Sequence, residues 1–479
     1  MEVERADPLA LPASSPPFPV RLPVPRPRAP RLAPFLARAL AAATLVVAPA
    51  AAQPGGAGGK GRASAPIPFT PAAAPAGMKV TPSVFRRFSD RVVKIQVVET
   101  ESAAKAVIGS GFYAGAAGDI VTNYHVISKL VHAPERYRIE LVDAAGASRP
   151  VTLQAIDVIH DLAIARGAAP SPTHFALEQG QAAVAHGDRL YSLGHPGDLS
   201  LSIVEGTYNG PLQYTLYPKI HFTGSLNTGM SGGPAIDEAG RVVGVNVASA
   251  GNQVSFLIPV DRAISLWATV RAPGFRPPSD FLSAVGQQIR AYQNEYLATL
   301  FAGDVPTVTI GRYTLPTEPA RYFKCWGDAT RDTELPYEVV SHRCSTDDQL
   351  YISGEQSSGI VEIEHRLISS RTLNALRFSA LYTWQFDADG KDVHGVEEEV
   401  TNFQCEARNV RTDAATLRTA LCVRGYRKLP GLYDAVLRAA VLGASDAGVV
   451  TILKLSGVSF ENVQQVARRY LERIAWKTK

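Results

Sequence analysis

The sequence predicts a mainly β chain, with two successive β-rich regions joined by a helix. Residues 92–258 are short strand-like runs broken by Gly, Pro, Asn and Asp, a text that suits a barrel or sandwich. Leu282, Val285, Ile289, Tyr292, Tyr296, Leu297 and Leu300 then recur at helical spacing, which predicts a connecting helix over about 280–302. Residues 308–456 return to strand-like runs and hold all four cysteines.

Taken in order, the first 52 residues read as a signal peptide. Arg21 to Arg38 form a basic, Pro-rich stretch, Ala39 to Ala48 are almost purely apolar, and Ala50-Ala51-Ala52 offers a cleavage site before Gln53. The apolar run is short for a span, which needs roughly 20 residues, so no stable membrane span is expected after cleavage. Residues 53–79 are Gly-, Ala- and Pro-rich, a flexible linker. Val84, Phe85 and Phe88 suit a short amphipathic helix with Pro82 in its first turn. VVKIQVV (92–98), AVIGSGFYA (106–114), DIVTNYHVI (119–127), YRIELVD (137–143) and RVVGVNVAS (241–249) read as strands. Beyond the connecting segment, 271–303, the strand candidates are GIVEIEHRL (359–367), ALRFSALYTWQF (375–386), TALCVRGYR (419–427) and VVTILKL (449–455). A last amphipathic helix, capped by Ser459, turns Phe460, Val463, Ala467, Tyr470 and Ile474 toward a core. The expected domains are therefore 80–270 and a β-rich (α+β) region over 304–479.

A hydrophobic content of 46% and a charged content of 19% fit an ordinary globular protein. The formal net charge is +4, but the first 52 residues hold six Arg against three acids, so the remainder is close to neutral. No basic run points to nucleic acid. Cys325, Cys344, Cys405 and Cys422 are even in number and closely spaced, which suits two disulfides and an oxidising, periplasmic or secreted location. Of the three pairings, Cys325–Cys344 with Cys405–Cys422 is preferred. A zinc site is the rival, weakened by the lack of a C-x-x-C pair.

The chemistry centres on Gly229-Met230-Ser231-Gly232-Gly233-Pro234. A serine nucleophile needs room for an acyl group and a turn that aims N–H groups at a developing oxyanion, and flanking glycines permit both. A hydroxyl also needs a base, for which His125 in VTNYHVI is the candidate. The imidazole needs an acceptor that fixes its tautomer, and Asp161 in HDLAIA supplies one. Each alone has a bland reading: a plain turn, a surface histidine, a turn or cap aspartate.

Together, with GSGFYA (109–114), SLGHPG (192–197), NTGMSGGPAI (227–236) and VVGVNVA (242–248), these motifs resemble the trypsin/chymotrypsin-like serine peptidases, and more closely their bacterial HtrA/Deg-like branch. The resemblance covers about residues 80–265. It implies a chymotrypsin-like double β-barrel with His125 and Asp161 in the first barrel and Ser231 in the second. It also implies an oxyanion hole from the backbone N–H groups of Gly229 and Ser231, polypeptide substrates, and no metal or organic cofactor. By the same alignment Ser225 lies at the base of the primary substrate pocket, and Asn246 stands where glutamate-specific relatives carry a His. Small or medium apolar side chains are then expected before the cleaved bond. Members of this branch are often trimers, so a homo-oligomer is a candidate state. Two departures stand out. Met230 replaces the Asp that pairs with a new N-terminus in digestive relatives, so no such activation is expected. No PDZ domain is recognisable after residue 280, and the role of the cysteine-bearing region is unassigned, substrate or partner binding being the guess. The leading expectation is an exported serine endopeptidase of envelope protein quality control or processing. The alternative is a binding or chaperone-like protein on a protease scaffold.

Overall fold

The computed structural model describes residues 80–476, apart from 144–145, 178–182, 250, 252, 331–334, 347, 355 and 388–395. The expected signal peptide and linker lie outside the described residues. A helix Val80–Phe88 comes first and buries Val84 and Phe88. Two closed six-stranded barrels follow. The first runs in the order 92–99, 105–113, 119–122, 162–167, 148–157 and 137–142, every neighbour antiparallel. The second runs in the order 234–236, 242–249, 255–259, 220–222, 202–211 and 189–194. Closure leaves no open sheet edge in either barrel.

One expected strand splits. Only Asp119–Thr122 of DIVTNYHVI is strand; Asn123 caps a helix, Tyr124–His132, that carries His125. Val126, Ile127 and Val131 are buried at helical spacing, so this half of the run follows a period near 3.6 rather than 2. A helix Val260–Arg271 then lies back on the first barrel, where Trp267 Nε1 donates to the buried Asp119 carboxylate at 2.9 Å. Arg166 Nε donates to the same carboxylate at 2.7 Å.

The connecting helix is Phe281–Thr299, capped by the Asp280 side chain on Ser283 N–H. Beyond it stands a seven-stranded antiparallel sheet, in the order 323–330, 338–346, 361–369, 447–458, 433–441, 416–425 and 404–411. Helices cover both faces. On strand 433–441, Val436 and Ala440 join Phe378, Tyr382 and Phe386 of one helix, while Leu437 and Val441 join the core that holds Val463, Ala467 and Tyr470 of another. Alternation with period 2 thus feeds two cores. The first of these helices, Ala375–Asp387, corrects a strand expectation. Its aromatic-rich text favours a strand by composition, but Phe378, Tyr382 and Phe386 are buried at a spacing of four, which only a helix brings to one face. The final helix is Phe460–Glu472, and Ser459 Oγ accepts from Asn462 N–H.

Both disulfides join directly opposed residues of neighbouring strands, Cys325 to Cys344 and Cys405 to Cys422. His342 stands near Cys325 and Cys344, but their sulfurs are consumed by the disulfide and offer no thiolate to a metal. None of the described helices is long and apolar enough to cross a membrane. The loops closed by the disulfides span sequence separations of 19 and 17. Replacing either pair by serines should lower unfolding free energy by about 3 kcal/mol, read by urea denaturation. No loss for either pair would show that the crosslinks leave the unfolded chain unconstrained.

Candidate active site

Asp161 ends the turn between strands 148–157 and 162–167. The Asp157 carboxylate closes that turn by accepting from His160 N–H at 3.1 Å and from His160 Nδ1 at 2.7 Å, so His160 braces the turn. Asp161 itself adopts φ of 54°, a left-handed conformation that Asp tolerates better than most side chains. Its backbone carbonyl is held by Asn123 Nδ2 (2.7 Å) and by Tyr124 N–H (3.2 Å). The carboxylate is then aimed at the start of the His125 helix. Oδ1 accepts from His125 N–H at 2.7 Å, and Oδ2 lies 2.5 Å from His125 Nδ1. Both oxygens engage one residue, Oδ1 its backbone and Oδ2 its ring, which orients the imidazole. With Nδ1 donating, Nε2 is the nitrogen free to take a proton.

Burial of the His125 ring depresses its basicity, but the Asp161 charge and hydrogen bond outweigh it. The pKa of His125 therefore lies above the ordinary imidazole value.

The turn that carries Ser231, the candidate nucleophile, is built by fixing its carbonyls. Thr228 C=O accepts from Gly197 N–H at 2.8 Å. Gly229 C=O accepts from Ser110 Oγ at 2.8 Å, and Met230 C=O from Asn246 Nδ2 at 3.2 Å. Ser231 C=O accepts from Ser110 N–H at 2.8 Å. A trans peptide points its N–H opposite to its C=O, so each tie also aims the next N–H. The N–H groups of Gly229 and Ser231 have no acceptor among the described residues. Gly229 has φ of 96°, and a Cβ there would lie 2.4 Å from His195 O; Gly232 has φ of 86°, and a Cβ would lie 2.2 Å from Ser110 O. Only glycine fits either position. Met230 is fully buried among Leu190, Phe222, Leu226, Val243 and Leu257, so the second barrel's apolar core anchors the turn in place of an ion pair.

His125, Ser231, Leu226, Asn227, Thr228, Asn246 and Val247 line one pocket. Ser231 Oγ donates to Val247 C=O at 3.4 Å, a long bond, and no hydrogen bond joins it to His125 among the described residues. Such contacts are commonly loose before substrate binds.

Two expectations are corrected. Ser225 is exposed and does not line the pocket; Leu226, next in sequence and buried, does. Asn246 borders the pocket, but its side-chain amide is spent inside the barrel, donating to Leu193 O (3.1 Å) and Met230 O and accepting from Ser192 Oγ (2.8 Å). It shapes the nucleophile turn and has no polar atom left for a substrate. Conversely, Ser110 lay inside the GSGFYA run with no role assigned. Its part rests on meeting residues more than a hundred positions away, which a local pattern cannot carry.

With this geometry in view, residues 109–245 match the family model described as a trypsin-like peptidase domain. This part of the chain is a trypsin-like peptidase domain. Relatives that the chain matches include proteases of the HtrA and Do-like type. The chain is 30% identical over 217 residues to "Protease Do-like 5, chloroplastic" of Arabidopsis thaliana, a match covering 38% of this chain and 66% of that protein. It is 32% identical over 165 residues to "Serine protease HTRA2, mitochondrial" of Bos taurus, covering 32% of this chain and 34% of that one. The chain thus spans under two thirds of the first relative and about a third of the second. The crystal structure of the serine endoprotease from Yersinia pestis aligns at 22% identity over 41% of this chain and 68% of that one, with a TM-score of 0.35.

The His125 ring should titrate in an NMR series with a midpoint above about 6.5, the ordinary value. Asp161→Asn should bring it below that value, because burial then acts without the opposing charge. A midpoint that Asp161→Asn does not lower would refute the pairing.

Proposed function

We propose that the protein is a serine endopeptidase that cleaves polypeptides through an acyl-enzyme on Ser231. Ser231 Oγ attacks the substrate carbonyl carbon as His125 Nε2 takes its proton. The C–N bond then breaks, and His125 returns that proton to the leaving amine. Water repeats the sequence on the ester, with His125 again as base and then acid. Asp161 holds the ring and stabilises its charge. The N–H groups of Gly229 and Ser231 serve the oxyanion. The observation that carries this reading is the set of four tied carbonyls from Thr228 to Ser231, which leaves those two donors unspent beside the nucleophile. Donors already aimed need no reorganisation as charge develops. The same observation disfavours the alternative of a binding or chaperone-like protein, which has no need of an ordered oxyanion turn.

The pocket beside Ser231 is lined by Leu226, Asn227, Thr228 and Val247, and His125 is its one titratable residue among those lining it. The lack of an acid or a Lys/Arg in that lining supports cleavage after uncharged residues, of which we propose the small and medium apolar ones. In a peptide-library and casein assay, the mature chain should favour such residues, and Ser231→Ala should lower the rate at least about ten-thousandfold and abolish fluorophosphonate labelling. Because the base must be neutral and its pKa is raised, kcat/KM should climb with pH, with a half-point above about 6.5. Unlabelled wild-type protein, or a preference for Lys, Arg or Glu, would count against the mechanism and the pocket respectively.

We further infer export, to a periplasmic or secreted location and a role in envelope protein quality control or processing. The support is the Arg-rich, apolar and Ala-x-Ala order of residues 21–52, together with two disulfides that suit an oxidising compartment. N-terminal sequencing of the chain from a secreting host should begin at Gln53. An intact N-terminus retained in the cytosol would refute export.

A further inference from the structure

One hairpin of the cysteine-bearing region reaches the peptidase cleft. Its two short strands are Leu350–Tyr351 and Ser357–Ser358. On one side it grips the helix that carries His125. Tyr124 Oη donates to Ile352 C=O at 2.9 Å, and His132 Nε2 lies 2.9 Å from the same oxygen. The Tyr351 ring stands edge-on to the His125 ring at 5.9 Å, and its hydroxyl lies 3.3 Å from Ser128 Oγ. On the other side, just before the hairpin, Asp348 accepts from Lys219 Nζ at 2.6 Å and from Leu216 N–H at 2.7 Å, both in the loop between two strands of the second barrel. From behind, the hairpin is fastened by Ser353 Oγ and Gln356 Nε2 to Glu399, and by Ser358 Oγ to Gly457 C=O.

We propose that Tyr351 is a specificity-determining residue of the peptidase, an aromatic wall supplied to the cleft by the C-terminal region. The proposal rests on the endopeptidase reading above. In an extended substrate successive side chains point to opposite sides. A residue seated in the pocket of Leu226, Asn227, Thr228 and Val247 therefore turns its two neighbours, P2 and P1′, away from that pocket. His125 lines the same pocket, and Tyr351, largely but not fully buried, stands against the face of the cleft that the His125 ring forms. A partly exposed aromatic residue there gains by burying an apolar substrate side chain. Its anchors on both barrels and on Glu399 hold the ring in place before substrate arrives, so no ordering is needed on binding.

The test is a peptide series with P1 constant and P2 and P1′ varied from Gly to Leu and Phe, read as kcat/KM. Wild-type protein should prefer the apolar residue over Gly at one of these positions by about tenfold, the worth of burying one such side chain. Tyr351→Ala should reduce that ratio to about twofold or less, while Tyr351→Phe, which keeps the ring but loses the hydroxyl, should retain it. A Tyr351→Ala variant with an unchanged ratio at both positions would overturn the proposal. So would a uniform loss on every peptide, which marks a purely structural tyrosine. A wild-type chain that cleaves no peptide and takes no fluorophosphonate label would overturn the endopeptidase reading and this one with it.

Discussion

The geometry proposed for catalysis depends on Ser110, a residue of the first barrel that constrains the second. Its N–H holds Ser231 C=O, its Oγ holds Gly229 C=O, and that same oxygen accepts from His195 N–H at 2.9 Å. Ser110 is fully buried, so none of these bonds competes with water. Ser110 C=O in turn takes the Thr122 hydroxyl at 2.7 Å and leaves so little space above Gly232 that a side chain there is impossible. Three residues before His125, Thr122 thus shares a neighbour with the turn that carries Ser231. The histidine and the serine come from different barrels, and the bonds around Ser110 make their separation a property of the fold rather than of loop flexibility. A polar residue so deeply placed would be expensive if half satisfied; here donor, acceptor and hydroxyl are all used.

Two kinds of support meet at the nucleophile turn, and they are chemically distinct. Polar ties from Gly197, Ser110 and Asn246 set which way each peptide faces. Apolar burial of Met230 sets how deep the turn sits. Hydrogen bonds are directional and individually worth about 1 kcal/mol net, while burial of a Met side chain is worth about 2 kcal/mol but has no direction. The combination explains how a turn with two unspent N–H groups can be stable without an ion pair at position 230. His195 completes the surround. Burial first, then the Lys94 charge, brings its pKa down to about 4, so no charge develops beside the turn near neutral pH.

Much of this was legible in the sequence because each signal is local. The helix 281–299 and the helix 460–472 follow from spacing alone, and the two barrels were implied by motifs that each sit within about ten residues. What escaped has a common cause. Helix 375–387 is rich in aromatic residues, and only the partners of Phe378, Tyr382 and Phe386 decide between a period of 2 and one of 3.6. Asn246 was read from alignment as facing substrate, but the direction of a side chain on a barrel strand depends on the register of that strand. A register shift between Asn246 and Ala248 falls at that point. Ser225 lies in the loop after strand 220–222, where its side chain is exposed, and misses the pocket by one residue. The role of Ser110 and the reach of Tyr351 depend on contacts across 119 and 226 positions, which no short pattern encodes.

Two closed barrels have no sheet edges to share, so the cleft between them needs other connections if its width is to be fixed. Ser110 supplies one at its floor. The hairpin before and around Tyr351 supplies another at its rim, because Asp348 binds the second barrel while Ile352 binds the first. Asp348 and Lys219 are both largely shielded from water, so their attraction is less screened than that of a surface pair, and Asp348 also satisfies Leu216 N–H. Tyr292 of the connecting helix adds a bond from its hydroxyl to Leu216 C=O at 2.5 Å, which fixes both backbone groups of one loop residue. A third body that holds both barrels constrains the cleft more strongly than one that holds either alone. The position of the cleft walls is therefore a property of the whole described chain, because the seven-stranded region is tied to both barrels.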